Sequence, residues 1–380
     1  MGIDGAPAVR EKKVIMLAQE RRERLLVEMR REGLEAIVVY GTSWQEAYLR
    51  YVSDFGILEA DGIAILTADG RCRLFVENAA EAERAQVEAG GVDTRLVRNL
   101  AQAVGRELEA VSNQRILAAP RTLLPAWLTA SERSFRLEDG TGLLDRLLME
   151  KAPNEIAVMR RAVALADEGY EFFRSVARPG RKQYEVVADV EAFLRRKGSP
   201  DNFMIIGSGN ADVRGMAPPS ERTLKPGDLV TTELTPAIEG YLAQICRTLV
   251  LGKANPVQKQ AFAIWHEAME AGIAAVKPGV TAADVARAEN DVFRRHGLGE
   301  YTTSKYTRVR GHGLGLSTDI KPSLLEDVDI VLRPGMTIIV HPNTYHPEAG
   351  YMVLGDVVVV TENGCERLTR TPAQLFEMSA

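Results

Sequence analysis

Leu224-Lys225-Pro226-Gly227-Asp228-Leu229-Val230-Thr231-Thr232-Glu233 and Leu332-Arg333-Pro334-Gly335-Met336-Thr337-Ile338-Ile339-Val340-His341 are two versions of one stretch, 108 positions apart (332 − 224). Each is a Pro-Gly turn followed by an apolar run that reads as a strand. Each delivers one polar side chain at the same step, Glu233 in the first and His341 in the second. A second echo runs alongside. Arg178-Pro179-Gly180 … Arg195-Arg196-Lys197-Gly198 recurs as Lys277-Pro278-Gly279 … Arg294-Arg295-His296-Gly297, offset by 99 at both ends (277 − 178 and 294 − 195). Two echoes in the same order predict a duplicated helix-then-strand unit. Facing halves share a cleft, and the polar strand residues are expected to converge there.

Outward from this repeat, the chain divides. Residues 10–32 read as a charged helix with Leu17, Leu25 and Met29 on its apolar side and Gly33 as its stop. Leu34–Tyr40, Gly62–Leu66 and Cys72–Val76 read as strands; further strand signals at 93–97 and 115–119 alternate with helical segments at 79–89, 98–111 and 122–131. This predicts an α/β domain over 1–150. Lys151-Ala152-Pro153-Asn154-Glu155 marks the boundary, with Asn154 expected as a helix cap, and a helix over 155–175 opens a second domain over 151–380. That domain alternates helices with strand pairs and is expected to be α+β.

Composition narrows the class. The 380 residues are 46% apolar and 26% charged, as in a soluble globular protein of two domains. No apolar run approaches the roughly 20 residues of a membrane span, and Met1–Arg24 lacks a signal-peptide core. A net charge of −5 and pI near 5.8 give no reason to expect nucleic-acid binding. Three widely spaced cysteines, Cys72, Cys246 and Cys365, fit a reduced, cytoplasmic setting.

Several motifs resemble one superfamily. Lys151-Ala152-Pro153-Asn154-Glu155-Ile156, Gly240-Tyr241, Arg247-Thr248, Gly311-His312-Gly313-Leu314-Gly315-Leu316 and Val360-Thr361-Glu362-Asn363-Gly364, together with the two Pro-Gly stretches, look like the creatinase / aminopeptidase P / prolidase superfamily. The resemblance covers nearly the whole chain. It implies a creatinase-type N-terminal domain and a C-terminal "pita-bread" domain. It also implies a homodimer whose partner N-terminal domain covers the pocket, so Phe55, in the Tyr51–Phe55 loop, is expected to line the neighbouring site.

The metallopeptidases of that superfamily hold two metal ions with two Asp, one His and two Glu. Carried over, those positions fall on Glu233, Gln244, His312, His341 and Gly355, and only His312 matches. A bridging carboxylate offsets the repulsion between two close dications. Gln244 is neutral and Gly355 has no side chain, so a dinuclear site is not expected. Asp356 adjoins the vacant position and is expected to point away, as strand neighbours do. The family's second histidine falls on Asp319.

Creatinase works without metal, and Glu233-Leu234-Thr235-Pro236 resembles its version. Its own catalytic set is not kept: the His falls on Met216 and its two binding Glu on Cys246 and His341. Creatine is therefore a poor fit. The expectation is a hydrolase cleaving a C–N bond in a small amide, amidine or cyclic imine, with His312 or His341 activating water and Glu233 and Gln244 positioning the substrate. A general-base role for Glu233 is the alternative. Cys246 becomes a nucleophile if an imidazole lowers its pKa. Met216, Asp319, Phe55 and Tyr345 complete the substrate wall, although Tyr345-His346-Pro347 reads equally as a surface turn. No cofactor is expected; the rival is one divalent metal ion on Glu233, His312 and His341. A further rival is a non-catalytic binding module.

Overall fold

The computed structural model of the chain describes residues 7–111, 113–130 and 136–378. It forms two compact units, Met1–Leu148 and Met149–Ala380.

The first unit carries helices α1 (Pro7–Glu32), α2 (Ala47–Ser53), α3 (Ala79–Glu88), α4 (Leu100–Glu109), α5 (Ala126–Ala130) and α6 (Thr141–Met149). Its strands are β1 (Ala36–Thr42), β2 (Asp61–Thr67), β3 (Cys72–Val76), β4 (Asp93–Leu96), β5 (Ile116–Ala119) and β6 (Leu137–Asp139). They form one sheet in the order β4-β3-β2-β1-β5-β6. The central β1 is the most apolar run and is buried through Tyr40. The Tyr51–Phe55 stretch is not a plain loop. It finishes α2, which ends at Asp54 in a left-handed conformation (φ 61°). Arg21 clamps that end, pairing with Asp54 and donating Nε–H to the Tyr51 carbonyl.

The second unit continues with α7 (Pro153–Val176), α8 (Gln183–Arg196), α9 (Pro256–Ala275) and α10 (Ala282–Arg295). Its strands are β7 (Asn202–Gly209), β8 (Leu229–Ile238), β9 (Tyr241–Leu242), β10 (Ile245–Leu251), β11 (Gly311–Gly313) and β12 (Ile320–Ser323). β13 (Thr337–Val340), β14 (Thr344–His346), β15 (Gly350–Met352), β16 (Asp356–Val360), β17 (Cys365–Arg367) and β18 (Phe376–Met378) follow. One sheet runs β18-β10-β8-β7 with β9 on β8. A second runs β12-β11-β13-β16-β17, and β14–β15 form a separate hairpin. Helix α7 opens with Pro153, and the Glu155 carboxylate accepts from the Ala152 N–H at 2.8 Å. The cap position is Ala152, so Asn154 sits inside the first turn rather than before it, because proline's fixed φ suits the first helical position.

The duplication is visible in the backbone. Helices α8 and α10 have 14 residues each, and their first residues are 99 apart (282 − 183). The turn glycines match in angle: Gly180 at φ 90° against Gly279 at 88°, and Gly227 at 84° against Gly335 at 87°. These left-handed angles are why glycine follows proline in both turns. After each turn the chain enters β8 or β13, placing Glu233 within β8 and His341 one residue past β13.

Among the described residues the two sheets are joined by an antiparallel bridge between Cys246 and Gly355. Beside it, buried Arg247 donates from Nη2 to Asp356 at 2.6 Å, and from Nη1 to the carbonyls of Gly355 and Cys246. Asp356 therefore faces Arg247, on the opposite strand face from residue 355, as alternation requires. Each half has its own apolar core, one around Tyr170, Phe173 and Leu234, the other around Trp265, Phe293 and Ile338. Among the described residues no helix is long and apolar enough to cross a membrane. Cys72, Cys246 and Cys365 are free thiols.

Candidate active site

Glu233 stands in the middle of β8, paired with Cys246 on β10 and Ile205 on β7. Its Oε1 accepts from Asn343 Nδ2 at 2.7 Å. Burial pushes its carboxyl up to about 7. The Cys246 S–H, the charge of Arg308 and the Asn343 amide oppose this, and the charge of Asp319 adds to it. Burial dominates because a carboxylate loses more solvation than a few neutral donors return.

Cys246 is fully buried. Its sulfur accepts from Gln244 Nε2 at 3.3 Å and lies 3.8 Å from Asn343 Nδ2. Burial, then the Glu233 charge, holds the thiol well above its ordinary value. Among the described residues no imidazole hydrogen-bonds to it. The condition for nucleophilic attack is therefore not met, because a thiolate beside a carboxylate in a dry pocket is disfavoured. Its thiol supports Glu233 instead.

His312 and His341 face each other edge-on, with ring centroids 5.2 Å apart and planes at 71°. His312 Nδ1 lies 3.1 Å from the Gly313 carbonyl, which assigns the proton to Nδ1 and leaves Nε2 as an acceptor. His341 Nδ1 is buried without a partner among the described residues. Burial lowers both imidazoles below the usual histidine range, and His312 depresses His341 further. Burial thus favours the neutral form of both rings.

Asn343 is the residue that sequence reasoning missed. Its Oδ1 accepts the Leu354 N–H at 3.1 Å, which aims Nδ2 at Glu233 and Cys246. Arg310 Nη1 binds its carbonyl at 3.3 Å. The only available signal was its position two residues after His341.

The remaining expected residues divide. Asp319 Oδ2 accepts from Arg308 at 2.5 Å, and its Oδ1 lies 3.9 Å from His312 Nδ1, so it belongs to the site's polar rim. Met216 is half-buried, beside the Ile206–Ala217 bridge. Tyr345 is buried with its hydroxyl donated to the Ala211 carbonyl at 2.7 Å, which makes it a wall rather than a substrate clamp. His346 accepts the Glu348 and Ala349 N–H groups, as a turn does. Phe55, expected at the neighbouring site, is 0% exposed in the single chain, with the Arg84 guanidinium 5.0 Å from its ring centroid.

The five carried-over metal positions supply one carboxylate (Glu233), two imidazoles (His312 and His341), one neutral amide (Gln244) and one glycine (Gly355). Among the described residues no group of three or more His, Cys, Asp or Glu side chains is placed to hold one. Position 355 is closed as well as empty. A Cβ added there would meet His341 Cβ at 2.6 Å, the Val340 carbonyl at 3.2 Å and Cys246 Cβ at 3.3 Å. Gln244 contributes no charge, and its amide is spent on sulfur.

The fold is an α+β scaffold of duplicated halves, with Glu233 on a strand of one half and His312 and His341 in the other. Residues 157–362 match the model of metallopeptidase family M24, and the chain belongs to that family. It is 31% identical to an Xaa-Pro dipeptidase from Pyrococcus horikoshii over 60% of this chain and 64% of the relative. It is 28% identical to a Bacillus subtilis protein called uncharacterized peptidase YqhT, over 61% and 65%. The chain thus spans just under two thirds of these relatives' length. The structure of an Xaa-Pro dipeptidase from Bacillus anthracis superposes with a TM-score of 0.82 at 26% identity, covering 95% of this chain and 100% of the other. That of an X-Pro aminopeptidase from Thermotoga maritima gives 0.85 at 21%, covering 94% and 99%. The architecture is the pita-bread fold with a preceding N-terminal domain.

Proposed function

We propose that this protein hydrolyses a C–N bond in a small amide, amidine or cyclic imine, using its own side chains and no dinuclear metal centre. One observation carries the reading: Glu233 is a deep carboxylate with a pKa near 7, aimed by Asn343. A base matched to neutral pH is what water activation needs. This shifts the water-activating role from the histidines to Glu233, because burial lowers the imidazoles and raises the carboxyl.

For an amide, Glu233 takes a proton as water oxygen bonds to the carbonyl carbon. The same proton passes to the nitrogen as the C–N bond breaks, leaving a carboxylic acid and an amine. His312 Nε2 accepts a substrate N–H, and Gln244 lines the floor. The working assembly in this reading is a homodimer acting on a small molecule.

The test is an assay with acetamide, acetamidine and 1-pyrroline, beside alanyl-proline, all in EDTA. At least one of the first three is expected to react, and alanyl-proline is not. The kcat/KM is expected to rise as Glu233 ionises, through pH about 7, and then to level off. A need for added Mn, Co or Zn, or cleavage of alanyl-proline, would sink the proposal. So would a profile that falls with pH.

A further inference from the structure

Tyr351 lies on β15, directly opposite Tyr345 on β14. Its strand neighbour Met352 is buried in the core, with its carbonyl bound by Trp265 Nε1 at 3.0 Å. Strand alternation turns Tyr351 the other way. The backbone is held in place on both sides. The Tyr351 N–H donates to the Val213 carbonyl at 2.9 Å, and Gly350 runs so close to Asn210 that an added Cβ would lie 2.1 Å from its carbonyl oxygen. The hairpin packs β15 against β8, the strand that carries Glu233.

The phenol is half-buried, and its hydroxyl makes no hydrogen bond among the described residues. The cleft's two side-chain amides are already used: Asn343 on Glu233 and Cys246, Gln244 on Cys246. Burial first, and then the charge of Glu233, holds the phenol above its ordinary pKa. A neutral O–H beside a general base, free of any partner, matches an acceptor atom on the substrate.

We infer that Tyr351 donates its hydroxyl hydrogen to the carbonyl oxygen of an amide substrate, holding that carbon beside Glu233. The inference rests on the hydrolase reading above and narrows it, because an amidine offers no oxygen to accept the bond.

Fluorine NMR with trifluoroacetamide and trifluoroacetamidine tests it on the whole protein. Tyr351→Phe is expected to weaken trifluoroacetamide binding roughly tenfold and to leave trifluoroacetamidine within about twofold. Glu233→Gln is expected to weaken the amidine instead, since it removes the anion. If Tyr351→Phe keeps its amide affinity, or loses both probes equally, Tyr351 is not the donor, while the Glu233 reading stands. If neither probe binds the unmodified protein, both readings fail together. Should Tyr351→Phe not fold, Tyr351→His keeps a ring and a donor. It is expected to hold the amide within about threefold, and loss of that binding would overturn the inference.

Discussion

Glu233→Gln is expected to make the protein more stable at pH 8 while nearly abolishing turnover. The carboxyl titrates near 4.5 unfolded and near 7 folded. Between those values the native state holds the proton more tightly than the unfolded chain, so stability falls as pH rises through that window. Below about pH 4.5 both states are protonated and the difference vanishes. Above 7 the buried charge costs its full amount. A shift of about 2.5 units corresponds to about 3 kcal/mol at most, and Glu233's residual solvent contact reduces it. Glutamine keeps the shape and still accepts from Asn343, so the variant should gain little at pH 5 and up to about 3 kcal/mol at pH 8. Activity should drop by about 10² to 10⁴, the usual contribution of a general base. Calorimetry at the two pH values, following the Met149–Ala380 unit, checks the first half. An equal gain at both pH values, or a loss at pH 8, would contradict the origin assigned to the shift.

Gly355→Ala is expected to destabilise strongly for so small a change. The added methyl meets His341 Cβ at 2.6 Å, closer than carbons approach without contact strain, with the Val340 carbonyl and Cys246 Cβ closing the other sides. Opening the strands is the only relief, and overpacking of this kind costs about 3 kcal/mol. A double-mutant cycle with His341→Gly isolates the contact. The pair should recover about 1–3 kcal/mol relative to the sum of the single changes. Additive effects would mean that 341 and 355 do not share this space. The cycle also bears on metal binding. A carboxylate placed at position 355 would first have to displace the His341 Cβ.

The duplication was legible because it rests on local chemistry. Two Pro-Gly turns need left-handed glycines, and both echoes kept them, with φ angles agreeing within a few degrees. The long helix that opens the second unit and most strands of the first followed from apolar periodicity in the same way. What escaped depends on contacts distant in sequence. Helix α2 is seven residues long and is secured by Arg21 from α1; nothing within the Tyr51–Phe55 stretch announces that. The contact of Phe55 with the Arg84 guanidinium likewise joins residues distant in sequence. Glu233 and the two histidines were found from the repeat and the family motifs. Asn343 was not, since a side chain that acts through its neighbours leaves no spacing signature.

The pairing of Gln244 and Gly355 carries the account: one neutral residue and one closed backbone position stand where two dications would need shared anions. Metal content measures this directly. The protein is dialysed against excess Mn²⁺, Co²⁺ or Zn²⁺, freed of loose ions by gel filtration, and analysed by inductively coupled plasma mass spectrometry. The expected result is no dication retained per chain. Two ions per chain, located by anomalous scattering between Glu233, His312 and His341, would contradict it.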